Sequence, residues 1–430
     1  MQGLFTALRK LTLGLSLVLA VTAQADEQTQ KTGSIRADVF AVLEKVQQAQ
    51  EAGNIQQALE LLDTLKARHG KKALQPYEAA QLWNFYAYAY LAQENFSAAI
   101  EAFKKVLDQP ELPAALKSGT QFTLAQLYFS EGDIKTAVSL LESWFKQAEN
   151  PGPDAYVLLG QGYLQLQRLD DALNTLLKAF AVAKAQGKEE KENWYALLQY
   201  VYAEKNNLPK QEEVLEVLVS RWPKTSYWMA LIGVYAEQGK EDLQLYAMET
   251  AYVQGMLERE PYLVSLAQLL AANGAPYKAA NVMEKGFKEK NIEENAKNLE
   301  RTGEYWRRAQ EIKDALPRLQ AAAAQADDGE SAVRLAYLYM SLHQYSDAVA
   351  QLQLGLQKGK LRQPLQSRFL LGQAQFHARQ YDAARKTFEK LVADTRQDEK
   401  QQRLVKQVSE WLRYMENEIQ RQKDIKAYLG

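Results

Sequence analysis

Residues 159–176 read LGQGYLQLQRLDDALNTL, and this stretch contains the pattern that decides the fold. Its small residues are Gly160 and Ala172, and its large ones are Tyr163 and Leu176. A small residue lets two helices approach closely where they cross, while large residues at helical spacing fill the space on either side. The stretch therefore predicts a pair of packed helices.

The same pattern returns ten times, with 33 to 41 residues between successive copies. Each copy has one anchor position, which is alanine in eight copies: Ala58, Ala99, Ala137, Ala172, Gln211, Gln244, Ala279, Ala315, Ala348 and Ala384. The residue four positions after the anchor is apolar in all ten copies, and the residue nine positions before it is tyrosine in six. Glycine or asparagine between the halves of a copy, as at Gly132 and Asn206, predicts the left-handed turn that ends a helix. We therefore expect ten helical hairpins.

Two copies resemble a known repeat most clearly. They read Leu159-Gly160-x2-Tyr163 with Ala172-x3-Leu176, and Tyr86-Ala87-x2-Tyr90 with Ala99-x3-Phe103. Both resemble the tetratricopeptide repeat, W-x2-L-G-x2-Y followed by A-x3-F and P over about 34 residues. The resemblance implies an all-α, right-handed superhelical solenoid of about ten hairpins over residues 38–395. The eighth copy keeps only Gly303, Trp306, Ala315 and Leu319, so we expect looser helix packing there.

The first 25 residues have the pattern of a secretory signal peptide. Arg9 and Lys10 precede an apolar run over residues 11–21, and Ala23-Gln24-Ala25 follows. An uncleaved membrane anchor is the alternative, but the apolar run is short for a bilayer. Because the chain has no cysteine, disulfides and a lipoprotein anchor on a lipobox cysteine are excluded. We expect cleavage after Ala25, a flexible leader over 26–37, a periplasmic protein and no stable membrane insertion.

Residues 396–430 carry an apolar stripe at spacings of three and four. Its members are Leu404, Val408, Trp411, Leu412, Met415 and Ile419. This spacing predicts one amphipathic helix. Terminal repeats need a polar outer face to stay soluble, so we expect this helix to cap the tenth hairpin.

No motif for catalysis, metal binding or nucleotide binding stands out. The three histidines, His69, His343 and His377, have no second ligand at metal-site spacing, although His343 and His377 occupy similar places in successive copies. Gly160-Gln161-Gly162 lacks the third glycine of a dinucleotide loop. The formal net charge is −1, which gives no indication of the basic face that nucleic acid requires. We predict no enzyme activity, no cofactor, no metal and no nucleic-acid partner.

The resemblance also implies a binding surface. In tetratricopeptide proteins the first helix of each hairpin lines the concave face, and the residue eleven positions before the anchor commonly points into it. The candidates at this position are Tyr88, Gln126, Gln161, Tyr200, Gln268, Tyr337 and Gln373, with Phe129 three residues beyond Gln126. Amide and aromatic side chains suit an extended peptide. The alternative is that glutamine and tyrosine are merely tolerated at a half-exposed position.

A narrower resemblance concerns the terminal helix, which reads Glu410-Trp411-Leu412-Arg413-Tyr414-Met415-Glu416. Together with the signal peptide and ten degenerate repeats, it is similar to periplasmic tetratricopeptide proteins encoded beside TonB, ExbB and ExbD. This implies a scaffold that is accessory to TonB-dependent outer-membrane transport and binds a protein or extended peptide, including TonB-complex components. An adaptor in outer-membrane or cell-wall assembly, and a noncatalytic module of a peptidoglycan-processing complex, remain alternatives. The oligomeric state stays open.

Overall fold

The structure, a computed structural model, describes residues 34–68, 73–396 and 399–429. Within these ranges the chain forms 21 α-helices, one 3-10 turn at Glu399–Gln401 and no strand. The predicted signal peptide and its cleavage site lie outside the described residues, as does the predicted leader up to residue 33.

The first twenty helices follow one another as ten successive pairs. In chain order they are α1 (Ala37–Glu51) and α2 (Ile55–Arg68), α3 (Pro76–Ala92) and α4 (Phe96–Leu107), α5 (Ala114–Glu131) and α6 (Ile134–Phe145), α7 (Pro153–Gln165) and α8 (Leu169–Ala185), α9 (Glu192–Glu204) and α10 (Leu208–Arg221), α11 (Thr225–Glu237) and α12 (Glu241–Val253), α13 (Glu260–Ala272) and α14 (Pro276–Lys288), α15 (Ala296–Arg308) and α16 (Ile312–Gln325), α17 (Glu330–Ser341) and α18 (Tyr345–Lys358), α19 (Pro364–His377) and α20 (Tyr381–Thr395). A longer helix follows, α21 (Gln402–Leu429).

The chain divides into two compact units, one ending at Leu197 and the other beginning at Leu198, so that the boundary falls inside α9. In the first unit, helices α1 to α8 form pairs that pack internally, and the second helix of each pair packs on the first helix of the next. The same arrangement runs from α10 to α20 in the second unit. Each unit is thus a stack of helical hairpins.

The anchor residues and the apolar residues four positions after them form the contacts between helices. All eight alanine anchors are fully buried, and none of the ten apolar residues four positions later is more than 8% exposed. A Cβ atom on Gly372 would lie 2.3 Å from Phe388 Cε1, so only glycine fits where α19 crosses α20. The prediction of an all-helical repeat solenoid is confirmed.

The expected loosening of the eighth hairpin is wrong. Ala315 is fully buried, and a Cβ atom on Gly303 would lie 2.6 Å from Leu319 Cγ. The few residues that this copy keeps are therefore sufficient to pack α15 closely on α16.

A recurring hydrogen bond joins successive hairpins. The aromatic residue nine positions before an anchor donates to the residue five positions after the preceding anchor: Tyr163 Oη to Glu142 Oε1 at 2.9 Å, Tyr235 Oη to Glu216 Oε1 at 3.0 Å and Trp306 Nε1 to Glu284 Oε1 at 3.1 Å. At the next junction the Gln320 amide donates to Tyr339 Oη. Burial and the carboxylate acceptor raise the pKa of Tyr163 and of Tyr235 to about 12. The tyrosines thus bond one repeat to the next as well as filling space.

Helix α21 packs on the tenth hairpin through one face. Leu404 and Val408 are buried with Phe388, and Met415 is buried with Phe376. Farther along, Tyr381 Oη donates to Gln422 Oε1 at 3.0 Å. Among the described helices, none has both the length and the apolar character that a membrane span requires.

Candidate functional site

The first helices of hairpins seven to nine border two cavities in the second unit. The larger, about 820 Å³, is lined by α15, α17 and Leu319 of α16, and the smaller, about 460 Å³, is lined by α13 and α15. Lys297 and Arg301 line both. We call these two cavities and their lining residues the α15 groove.

Asparagine side chains fix where α15 begins beside α13. Asn295 caps the helix, since its side-chain oxygen accepts from the backbone N–H of Asn298 at 3.0 Å. The buried Asn298 amide then donates to Glu260 Oε1 on α13 at 2.9 Å and to the carbonyl oxygen of Glu293 at 3.0 Å. These bonds set the position from which Lys297 and Arg301 project into the groove.

The larger cavity is lined by four basic and two acidic residues, and both acids already have basic partners. Glu300 pairs with Arg334 across the cavity and also accepts from Ser331 Oγ at 3.0 Å. Glu304 pairs with Arg307 one turn along α15. Among the described residues, neither Lys297 nor Arg301 has an acidic partner. The groove therefore presents two cations that are not neutralised.

Apolar and aromatic side chains complete the groove. Leu335 and Leu338 on α17 line the larger cavity, and Tyr337 beside them is 50% exposed. Tyr305 is buried, and burial raises its pKa while the nearby Arg301 and Arg308 oppose the rise. The arrangement combines an apolar floor, an exposed aromatic ring and a positive edge, which suits an amphipathic chain segment.

Two segments of the chain match a family model described as tetratricopeptide repeat, residues 43–114 and 333–399. The chain contains tetratricopeptide repeats. Residues 113–179 match a further model, described as anaphase-promoting complex, cyclosome, subunit 3. No curated protein matches the chain in sequence.

Solved structures of helical repeat proteins are similar to parts of the chain. A tetratricopeptide repeat protein from Parabacteroides merdae is 18% identical, with 59% of this chain and 93% of that one covered and a TM-score of 0.38. The C-terminal part of a repeat protein from Cytophaga hutchinsonii is 14% identical, with 66% and 94% covered and a TM-score of 0.38. The TPR2AB domain of yeast Sti1, in a complex with pHSP90, is 12% identical, with 60% and 98% covered and a TM-score of 0.34.

Tetratricopeptide repeats indicate a scaffold for protein–protein interaction, and proteins that contain them typically bind protein or peptide partners. The matched models indicate no enzyme family. In the described residues, no group of three or more histidine or carboxylate side chains could hold a metal ion. The candidate site is therefore the surface formed by the first helices of the repeats.

Tyr337 is the sequence-predicted residue that lies in the α15 groove. Gln268 is exposed on α13, and Gln373 is half-buried on α19. Tyr200 is exposed on α9, where its hydroxyl bonds the Glu204 side chain one turn along. These four residues belong to the second unit.

The other predicted residues lie in the first unit. Tyr88, Gln126 and Gln161 are half-buried at equivalent positions of α3, α5 and α7. The Tyr88 ring also contacts the Phe103 ring edge-on at 5.5 Å, and burial raises its pKa although a hydrogen bond with Thr123 opposes the rise. Tyr88 is thus partly occupied by packing between helices.

The assignment of Phe129 to the binding surface is wrong. Its side chain is only 9% exposed. A Cβ atom on Gly162 would lie 2.7 Å from Phe129 Cζ, so the ring packs against the first helix of the next hairpin. Phe129 is therefore a packing residue between repeats.

Sequence reasoning missed the basic residues of the α15 groove, although a signal for them exists. Arg301 and Arg334 both stand fourteen positions before their anchors, Ala315 and Ala348. Lys297 stands four residues before Arg301 and so lies on the same side of α15. A comparison of charges by repeat position would have found this cluster.

His343 and His377, which occupy similar places in successive repeats, both contact Tyr345. Tyr345 Oη lies 2.7 Å from His343 Nδ1, and the Tyr345 ring stacks on the His377 ring at 4.8 Å. His377 also meets Trp411 of α21 edge-on at 6.1 Å. Burial lowers the pKa of His377, and the neighbouring His343 lowers it further.

Proposed function

We propose that this protein is an exported periplasmic scaffold that binds protein partners on the first helices of its tetratricopeptide repeats and is accessory to TonB-dependent outer-membrane transport. The observation that carries the binding role is the α15 groove. Its two unneutralised cations, Lys297 and Arg301, stand beside the half-exposed Tyr337.

The chemistry of the groove favours a polypeptide partner. A tyrosine at an interface supplies a large contact area and often contributes much of the binding energy. The half-exposed ring of Tyr337 provides the apolar contact surface, and the cations at the edge add charge recognition. Apolar anchors within a polar rim are the usual composition of a protein–protein interface.

The periplasmic role is supported by the sequence of residues 1–25, which has the three regions of a secretory signal peptide. The TonB role is supported by the likeness of the segment Glu410–Glu416. In that segment Met415 is buried against the tenth hairpin, whereas Arg413, Tyr414 and Glu416 are exposed. Glu416 also pairs with Arg385 on α20 at 3.7 Å, so the segment presents Arg413 and the exposed part of Tyr414 to a partner.

Partner capture in the native compartment tests the proposal. The full chain is expressed with a C-terminal affinity tag, intact cells are cross-linked, and the proteins captured from the periplasmic and detergent-solubilised membrane fractions are identified by mass spectrometry. We expect a mature protein that begins at Asp26 and captures TonB, ExbB or ExbD. Recovery of the uncleaved chain in the inner membrane would contradict the export proposal, and capture of only outer-membrane assembly or peptidoglycan-processing proteins would contradict the TonB role.

A pair of tyrosine variants tests the binding surface in the same experiment. Tyr337 is exposed on a first helix, whereas Tyr246 is exposed on α12, a second helix. We expect Tyr337→Ala to reduce capture and Tyr246→Ala to leave it unchanged. Reduced capture by Tyr246→Ala with unchanged capture by Tyr337→Ala would place the partner on the second helices.

A further inference from the structure

We propose that the α15 groove binds an extended acidic segment of a protein partner, whose aspartate or glutamate side chains pair with Lys297 and Arg301. This inference rests on the proposed scaffold function and names the chemistry of the partner. It excludes a neutral or basic segment at this surface.

The protein's own acids leave these two cations free. Both carboxylates in the larger cavity, Glu300 and Glu304, already pair with arginines. In the smaller cavity, Glu260 accepts from the Asn298 amide and from the backbone N–H of Glu293, which use both of its oxygens. Carboxylates for Lys297 and Arg301 must therefore come from outside the groove.

The spacing of Lys297 and Arg301 fits the side chains of an extended segment. Lys297 and Arg301 are four residues apart on α15, which separates their backbones by about 6 Å along the helix axis. In an extended chain, side chains two residues apart point to the same side and are separated by about 6.6 Å. Two acidic residues separated by one residue of any type would thus place their carboxylates opposite the two cations. The half-exposed Tyr337 ring offers contact surface to an apolar residue that flanks this motif.

The charges of the α15 groove do not suit other polyanions. Nucleic acid or an anionic lipid surface presents many phosphates and requires a broad basic face. Here only two lining cations are unneutralised among the described residues, and Glu260, Glu300 and Glu304 stand among them. These acids would repel a dense row of phosphates, whereas they tolerate one or two carboxylates placed on Lys297 and Arg301.

Selection from a peptide library tests the inference and does not require the partner to be identified first. Random 12-residue peptides are displayed on the amino terminus of a phage coat protein and selected on the purified mature protein. This format leaves no free peptide carboxyl terminus, so a bound carboxylate must belong to an aspartate or glutamate side chain. We expect the selected peptides to be enriched in acidic residues at alternate positions next to an apolar residue.

Charge reversal then assigns the binding to the groove. The best peptide is synthesised with a fluorophore and titrated by anisotropy against the wild type and Lys297→Glu/Arg301→Glu. We expect a loss of affinity of about tenfold or more, and weaker wild-type binding as salt is raised. The matched control is Lys178→Glu/Lys313→Glu, which gives the same net charge through exposed lysines on the second helices α8 and α16. Circular dichroism verifies that each variant is folded.

The outcomes separate this inference from the proposed function. Selected peptides that are neutral or basic, or acidic peptides that the control weakens as much as the groove variant, would overturn the acidic-segment inference. Failure to select any peptide would overturn it too. The scaffold function depends instead on capture of an envelope partner, so it stands if capture succeeds while the peptide experiment fails.

Discussion

Replacing Tyr163 with phenylalanine removes one hydrogen bond between two repeats and leaves the ring in place. The lost bond joins Tyr163 Oη to Glu142 Oε1 at 2.9 Å. A hydrogen bond to a charged group contributes about 1.5–3 kcal/mol. Glu142 keeps its ion pair with Arg168 at 3.0 Å, so the carboxylate is not left without a partner. We therefore expect the lower end of this range, a loss of about 1.5 kcal/mol in the free energy of unfolding.

Tyr202→Phe is the matched control. Tyr202 and Tyr163 are each 8% exposed and each stand nine positions before an anchor. However, the residue five positions after the preceding anchor is Leu177, which cannot accept a hydrogen bond, and Tyr202 has no hydrogen bond from its hydroxyl among the described residues. We expect Tyr202→Phe to cost less than half as much as Tyr163→Phe.

Urea unfolding gives the free energy of each variant, and native-state hydrogen exchange locates the effect. Exchange is needed because repeat arrays can unfold in parts. We expect faster exchange in α6 and α7 after Tyr163→Phe. A double-mutant cycle with Glu142→Ala should give a coupling energy of about 1 kcal/mol. Equal losses for Tyr163→Phe and Tyr202→Phe, or no coupling to Glu142, would refute the assignment of a stabilising bond between repeats.

Three further predictions concern packing and pH. Gly372→Ala should lower the free energy of unfolding by about 1–3 kcal/mol, because the alanine Cβ atom would overlap Phe388. Gly233→Ala on α11 should raise the free energy of unfolding by about 0.5–1 kcal/mol, because nothing lies within 4 Å of the new Cβ atom and alanine favours the helix. Urea unfolding measures both changes, and changes of the same sign would contradict the packing. Burial alone would raise the pKa of Glu78, but hydrogen bonds from Arg36 and Gln75 lower it to about 2, so its contribution is full above the unfolded pKa of 4.5 and is lost as pH falls from there towards 2. Unfolding of the wild type and Glu78→Gln at pH 5 and pH 3 should show a larger fall in stability for the wild type, and equal falls would contradict the assignment. Because the pKa of His377 is lowered in the folded protein, the unfolded chain binds this proton first, and stability should fall as pH drops through 6.5. We expect the Tm of the wild type to be lower at pH 5.5 than at pH 8, and His377→Phe to reduce this difference; an unchanged difference would contradict the assignment.

The helix pairing was predictable because one kind of contact repeats ten times. Close packing at Ala172 and Gly160 constrains residue size, and constraints on size are visible in a single sequence as a period. The partners of Tyr163 and Trp306 were not predicted, because a hydrogen bond with Glu142 or Glu284 depends on which faces of two different repeats meet. The sequence shows the donor position in each repeat but not the acceptor.

The binding surface was predicted less well, and Phe129 shows why. The position eight residues before the anchor lies on the first helix, as the binding position does, but its burial differs between repeats: Phe129 and Leu164 are buried, whereas Arg307 is exposed. The unneutralised charge on Lys297 and Arg301 also depends on the ion pair between Glu300 and Arg334 of the next repeat. Residue type and spacing alone do not show which charges are already paired.

The claim at the centre of this account is that a protein partner binds the first-helix face of the repeats. The most direct measurement introduces a photocrosslinking amino acid in place of Tyr337 on α17 and, separately, in place of Tyr246 on α12, two exposed tyrosines on opposite kinds of helix. After irradiation of intact cells, adducts are detected by immunoblotting. We predict an adduct with an envelope protein from position 337 that disappears in the Lys297→Glu/Arg301→Glu background. Adducts from position 246 alone, or no adduct from position 337, would contradict the claim, whereas an adduct from position 337 that survives this charge reversal would contradict only the acidic-segment inference.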